Sequence, residues 1–487
     1  MNNHYNEFET VIGLEVHIEL STQTKIFCGC STKFGSEVNS QICPVCMGMP
    51  GTLPTLNKKV VEYAVKVAVA TNCNITKKCL FDRKNYFYPD NPQNYQISQL
   101  YLPICTNGFL EINNENICKK IGIHEIHMEE DAGKLIHDEA LGKSYVDYNR
   151  AGVPLIEIVT EADFRSADEV ILFLEKLRLI IQYLEVSDCK LNEGSMRVDI
   201  NLSVRKTGES EYGTRTEMKN LNSFRAIKRA IESETKRQVD IILNKEEVIL
   251  ETRRWDDSKG ESYSMRSKED ARDYRYFPEP DLMPINISGD YIEYIKTNLP
   301  EFRDEKIERY VKEYDIPKYD AEIITSEKAL ANLFEETVLC GANPKKVSNY
   351  IMGETLKLMK EREIEAEQIS FSPNNLACLI DLDDRKVINS TVAKEVFVKV
   401  FDEDINPVQY VNEHGLAQNN DADELTEIIE KVLDNNAQSV SDYLNGKDRA
   451  IGYLVGQTMK ETKGKANPEL VKEILKKSLE NRRGVGV

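Results

Sequence analysis

The stretch Thr10-Val-Ile-Gly-Leu-Glu-Val-His-Ile-Glu-Leu20 decides the reading of the N-terminal half. Val11, Leu14, Val16, Ile18 and Leu20 are apolar, while Glu15, His17 and Glu19 recur two residues apart. Strand side chains alternate between faces, so this period predicts a β-strand with one apolar face and one face bearing two carboxylates and an imidazole. A second stretch alternates more cleanly: Val198, Ile200, Leu202 and Val204 against Arg197, Asp199, Asn201, Ser203 and Arg205. Such a pattern predicts an antiparallel strand buried on one side.

Helices interrupt these strands. Ser166 with Glu169 makes a capping box ahead of Val170, Leu174, Leu177, Ile181 and Leu184, which paint one helical stripe. Ser223 is expected to open a second helix running through Ile241. Beyond Asn298 strand signals fade. Residues 300–401 read as helical with breaks at 341–344 and 370–373, and helices are expected at 425–433, 440–444, 451–459 and 470–479. The fold class is therefore α+β. A mixed α/β body with an antiparallel sheet spans 1–295, followed by two all-helical domains, 296–406 and 407–487.

Charge and composition exclude some functions. With 30% charged residues and no apolar run of 18, the chain has no membrane span. Its start, MNNHYNEFET, lacks a basic and then apolar leader, so a cytoplasmic address is expected. A formal charge of -19 opposes nonspecific coating of nucleic acid. Residues 446–487 differ: ten Lys or Arg, Lys463 and Arg483 among them, stand against five acids, a net +5.

Cys28-Gly-Cys30 and Cys43-Pro-Val-Cys46, twelve residues apart, place four thiols in two close pairs. That spacing suits a closed, structural zinc site, the alternative being loose reduced thiols. In small modules such a site supplies about 10–16 kcal/mol of folding energy. Cys73, Cys79, Cys105, Cys118, Cys189, Cys340 and Cys378 are dispersed and read as core fillers.

A second constellation is acidic: Glu15 and His17 on one strand face, Glu129 and Glu130 in His127-Met-Glu-Glu-Asp-Ala-Gly-Lys134, and Asp199. Hard carboxylate oxygens suit magnesium bridging to substrate phosphates; solvated surface acids are the plainer alternative. Glu157 lies in the apolar run Val153-Pro-Leu-Ile-Glu-Ile-Val159, and a buried carboxylate needs a partner. Arg150, Arg197 or a metal could supply it, as could a purely structural ion pair. In Phe81-Asp-Arg-Lys-Asn-Tyr-Phe-Tyr-Pro-Asp90, Lys84 stands beside Tyr86 and Tyr88, a mixture suited to an unstacked nucleotide end or to an ordered loop. The segments 219–224 and 272–277 carry weaker forms of that signal. No G-x-x-x-x-G-K-[ST] occurs, since Gly142-Lys143-Ser144 has His137 where the first glycine belongs. With no G-x-S-x-G either, a nucleophilic hydrolase is disfavoured.

At 10–17, 81–92, 127–134, 154–161 and 219–223 the chain resembles the B subunits of bacterial heterotrimeric Glu/Asp-tRNA amidotransferases, nearly end to end. The resemblance implies an ATP-dependent ligase that phosphorylates the side-chain carboxylate of Glu-tRNA(Gln) or Asp-tRNA(Asn). Ammonia from an amidase A subunit then amidates it, and a small C subunit completes the heterotrimer. It assigns catalysis and Mg2+ to Glu15, His17, Glu129, Glu130 and Asp199, and Zn2+ to Cys28, Cys30, Cys43 and Cys46. Lys84, Tyr86, Tyr88, Arg150, Glu157 and Arg197 become substrate-binding candidates, and the basic tail an RNA grip without base readout. DNA and membrane are not expected partners. Two rival readings are a zinc-stabilised tRNA-binding scaffold and a stand-alone ligase acting on a small acid.

Overall fold

The computed structural model describes residues 5, 7–114, 116–138, 140–267, 273–418, 421–462 and 465–484, to which all counts refer. Arg272 and Lys463 lie outside them, as does the Arg483 side chain. Sixteen strands form: β1 (Phe8–Glu19), β2 (Asn74–Ile75), β3 (Lys78–Cys79), β4 (Asp82–Asn85), β5 (Tyr95–Ser98), β6 (Cys105–Asn113), β7 (Cys118–Glu130), β8 (Lys134–Asp138), β9 (Lys143–Asp147), β10 (Pro154–Thr160), β11 (Met196–Lys206), β12 (Thr216–Lys219), β13 (Glu251–Asp256), β14 (Glu261–Ser267), β15 (Phe277–Pro278) and β16 (Ile285–Asn286). Nine build one sheet in the order β14-β13-β12-β11-β1-β10-β7-β6-β2, so both stretches that decided the reading lie side by side at its centre.

Helices α1 (Lys58–Ala70), α2 (Ala167–Tyr183) and α3 (Phe224–Leu243) pack against this sheet. Ile12, Leu14, Val16 and Ile18 of β1 join Phe173 and Leu174 of α2 and Ile227 of α3 in the core. The sheet is not purely antiparallel as expected: β12 and β13 run parallel. A parallel neighbour needs a long crossover, and α3 provides it. Ser166 Oγ accepts from the Glu169 amide at 3.2 Å, but the Glu169 carboxylate accepts from the Arg165 amide at 2.7 Å, one residue earlier than a capping box requires. Gly142-Lys143-Ser144 falls at the β8–β9 hairpin rather than between a strand and a helix.

The chain divides into two compact units after Phe302. The first core reaches past residue 295 because Leu299 and Phe302, with Ile295 of α4 (Gly289–Thr297), still pack on it. The second unit, from α5 (Arg303–Tyr314) onward, holds two hydrophobic cores. The earlier one includes Val411 of the helix Pro407–Glu413 and draws in Leu416, so the break between the helical cores falls after Leu416 rather than after Asn406. The later one gathers the helices Ala422–Asn435, Ala437–Leu444, Ala450–Glu461 and Pro468–Gly484 around Leu425, Ile429, Leu454 and Leu475. Among the described residues, no helix is long and apolar enough to cross a membrane.

Phe164 and Phe173 meet edge to face, 5.2 Å between centroids, with both rings fully buried. Phe173→Ala is expected to cost about 3–5 kcal/mol through the cavity it leaves. A lower urea midpoint, followed by circular dichroism, checks this; an unchanged curve contradicts the packing.

Candidate functional site

The two-residue period fixes what the sheet's polar face carries. Strand β1 sets Glu15 opposite Asp199 and His17 opposite Arg197 on β11. On its other side His17 faces Glu157 of β10, which in turn faces His127 of β7. Arg197, His17, Glu157 and His127 therefore form one row across four strands. Glu125 and Glu129 flank His127 on the same face, two residues either way.

On this face, one donor atom each from His17, Glu129 and Glu157 lies within 4.8 Å of the others. His17 Nε2 stands 3.6 Å from Glu129 Oε1 and 3.6 Å from Glu157 Oε2, longer than hydrogen bonds. The second oxygen of Glu129 accepts from Ser98 Oγ at 3.1 Å, which fixes that carboxylate. Burial, helped by the charges of Arg197 and Lys219, holds the His17 pKa well below the usual histidine range. The ring is neutral at pH 7 and presents a lone pair. Burial and the Glu129 charge push Glu157 up to about 7. Two crowded carboxylates and a neutral imidazole, spaced apart with no bond between them, fit a divalent cation.

The other sequence-predicted acids separate from that triad. Glu15 and Asp199 join Glu217 in a second group of the same compactness. Its cation is already present: the Lys219 ammonium contacts Asp199 and lies 2.7 Å from Glu217, while Asn201 Nδ2 donates to Glu15 at 2.9 Å. Glu130, adjacent to Glu129, points to the opposite face of β7 with Met128. There it accepts from Gln93 Nε2 at 2.6 Å and from the Ile97 amide at 2.9 Å. It lines a cavity of about 120 Å³ shared with Cys28 and Cys46. Burial pushes its pKa up to about 8 despite these two donors.

Among the substrate-binding candidates, Lys84 approaches the triad. Burial disfavours its charge, but Tyr276, Glu129 and Glu157 outweigh that and raise its pKa. Its ammonium sits 5.0 Å from the Tyr274 ring centre, against which Tyr86 packs edge-on, while Tyr88 is exposed. Arg150 and Arg197 do not partner Glu157 as anticipated; each lies 3.0 Å from Asp131, and the neighbours of Glu157 are the two histidines. Asp131, Glu19, Glu125, His127, Glu217 and Lys219 were not among the predicted site residues. Glu125-Ile-His127-Met-Glu129 carries the two-residue period that could have disclosed its members. Nothing local marks Asp131.

The four sulfurs of Cys28, Cys30, Cys43 and Cys46 also lie within 4.8 Å of one another. The Cys28 thiol, opposed by burial and helped by the Cys43 amide, draws the Cys46 pKa down to about 4, and the buried Lys25 ammonium stands 3.6 Å from its sulfur. Such a thiolate-bearing set fits zinc. Of the remaining cysteines, Cys79, Cys105 and Cys189 are buried, whereas Cys118 and Cys340 are exposed and fill no core. In the tail, Arg482 pairs with Glu430 and Asp434, and Lys447 with Asp442 at 3.0 Å, so preceding acids neutralise part of the basic stretch.

The GatB/GatE catalytic domain matches residues 10–293, and the GatB domain matches 332–479. The chain belongs to the GatB family. The B subunit of the aspartyl/glutamyl-tRNA(Asn/Gln) amidotransferase from Lachnoclostridium phytofermentans is 62% identical over 472 residues, 97% of this chain and 99% of its own length. The proteins of the same name from Agathobacter rectalis (64%; 96% of this chain, 98% of theirs) and Caldicellulosiruptor bescii (56%; 97% and 99%) are similar throughout. Family membership makes the chain a component of the tRNA amidotransferase class of ligase, and the site described lies wholly inside the matched catalytic domain.

The Glu130 pKa of about 8 exceeds the ordinary 4.5, so the folded chain keeps a proton that the unfolded chain has released. Its contribution is complete below pH 4.5 and fades as pH rises to about 8, at up to about 1.4 kcal/mol per pH unit. Glu130→Gln is expected to flatten that decline; urea midpoints measured across the interval with the same slope as wild type would contradict the burial.

Proposed function

We propose that this chain binds tRNA misacylated with glutamate or aspartate and activates the side-chain carboxylate with ATP, so that ammonia can convert it to the amide. The triad of His17, Glu129 and Glu157 carries the reading. A carboxylate resists ammonia because its charge repels a nucleophile and oxide is a poor leaving group. Phosphorylation converts that oxygen to phosphate, which ammonia then displaces. A Mg2+ held by His17, Glu129 and Glu157 would offset the negative charge that gathers during phosphoryl transfer.

The chain's own residues do the remainder. Lys84 brings a permanent cation beside the same carboxylates, and Arg197 and Arg150, tied to Asp131, hold further positive charge at fixed positions. Tyr86, Tyr274 and Tyr276 offer aromatic faces for the unstacked tRNA terminus. Glu15 and Asp199, bound up with Lys219, serve the electrostatics of the floor rather than the cation, and Glu130 shapes the wall beneath the cysteine loop. Ammonia comes from an amidase A subunit, in keeping with the missing hydrolase motifs, and a small C subunit completes the assembly. The tail's remaining lysines hold RNA backbone, and Zn2+ on the four cysteines fastens the loop 28–46 beside the site.

In the assembled enzyme His17→Ala and Glu157→Gln are expected to lower amide formation at least about 100-fold while tRNA retention on filters stays unchanged. ATP turnover at the wild-type rate in these variants would favour the scaffold reading, and full activity of the chain alone on a small acid would favour the stand-alone ligase. Purified protein is expected to contain one zinc per chain by atomic absorption, and its removal by a chelator to lower the melting temperature. A protein free of zinc with unaltered stability contradicts that assignment.

A further inference from the structure

His127 lies beyond the triad, directly opposite Glu157, and no step above uses it. Its side chain is only 12% exposed. Nδ1 stands 3.6 Å from Glu157 Oε2, and Nε2 stands 3.5 Å from Glu125 Oε1. Neither ring nitrogen completes a hydrogen bond. A buried imidazole with both nitrogens unsatisfied is costly, and native proteins rarely keep one without a use. The same oxygen, Glu157 Oε2, is also 3.6 Å from His17 Nε2. One carboxylate oxygen is thus shared between two imidazoles from opposite sides of β10.

We infer that His127 is a positioning residue, whose Nδ1–H, braced from behind by Glu125, orients the Glu157 carboxylate toward His17 and the cation. The roles of the two rings divide by geometry. His17 stands among the carboxylate oxygens, where its Nε2 offers a lone pair. His127 lies on the far side of Glu157 from His17 with a carboxylate at each ring nitrogen, where it can donate. Donors behind ligating carboxylates fix their direction, and their loss typically weakens metal affinity about 10–100-fold. The order Glu125, His127, Glu157, His17 crosses three adjacent strands, and the register places each member. A filler of the same volume would not need a polar ring there, nor a carboxylate at each nitrogen.

This inference rests on the cation reading of the triad, so the test uses Mn2+ alone, titrated into the assembled enzyme without ATP or tRNA and followed by electron paramagnetic resonance. Glu157→Gln identifies the relevant site by abolishing its signal. His127→Phe is expected to weaken that site about 10–100-fold. An asparagine amide occupies the place of Nδ1 and a glutamine amide that of Nε2. His127→Asn is therefore expected to restore most of the affinity and His127→Gln little of it. Equal weakening by Asn and Gln would mean a merely structural ring and overturn the proposal, as would wild-type affinity in the Phe variant. If the Phe variant fails to fold, the Asn and Gln pair decides alone. Should the wild-type enzyme show no Mn2+ site that Glu157→Gln removes, the cation reading itself falls and this inference with it. Wild-type Mn2+ affinity in the His127 variants beside its loss in Glu157→Gln would overturn the positioning role only.

Discussion

A carboxylate stripped of water needs a compensating charge or donor, and this requirement organises the sheet's polar face. Glu15, Glu19, Glu129, Glu157, Asp131, Asp199 and Glu217 crowd onto or beside five strands. The fold resolves the crowding in separate ways. Lys219 enters one group, two arginines close on Asp131, and hydrogen bonds hold Glu130 on the other face. His17, Glu129 and Glu157 are left facing one another without a bond among them, and this arrangement carries the proposed cation.

The helices on the opposite face make this arrangement rigid. Each apolar residue of β1 that enters the core under α2 and α3 forces its neighbour outward, so packing and site geometry are two expressions of one alternation. The β10–β7 register shifts between Val159 and Thr160, and past it Glu125, His127 and Glu129 share a face with Glu157. A bulge is a recognised device for re-aiming strand side chains. Here it aligns β7 with the site.

Within the matched catalytic region the two faces of β7 carry different neighbours. The cysteine loop lines the cavity that Glu130 also lines, so Glu129 of the His-Met-Glu-Glu run belongs to the triad and the next residue faces the loop. Neighbours in sequence thereby serve different purposes, as a strand's alternation requires. In the last helical core the basic residues are partly balanced by acids of another helix, as Arg482 is by Glu430 and Asp434.

Local sequence determined much of this. The alternation in 10–20 and 197–205 was enough for two central strands, Ser166 and Ser223 for two helix starts, and cysteine spacing for a four-thiol cluster, because each depends on residues near one another in the chain. What tertiary structure alone decided is which acids share a site. Glu129 joins His17 while Glu130 does not, Glu157 replaces Asp199, and Asp131 captures both arginines. These outcomes follow from strand order and register between segments more than a hundred residues apart in sequence, as in the pairing of His17 with Glu157. No periodicity within a single strand encodes its partner's register, so the composition of the site was beyond the reach of local pattern.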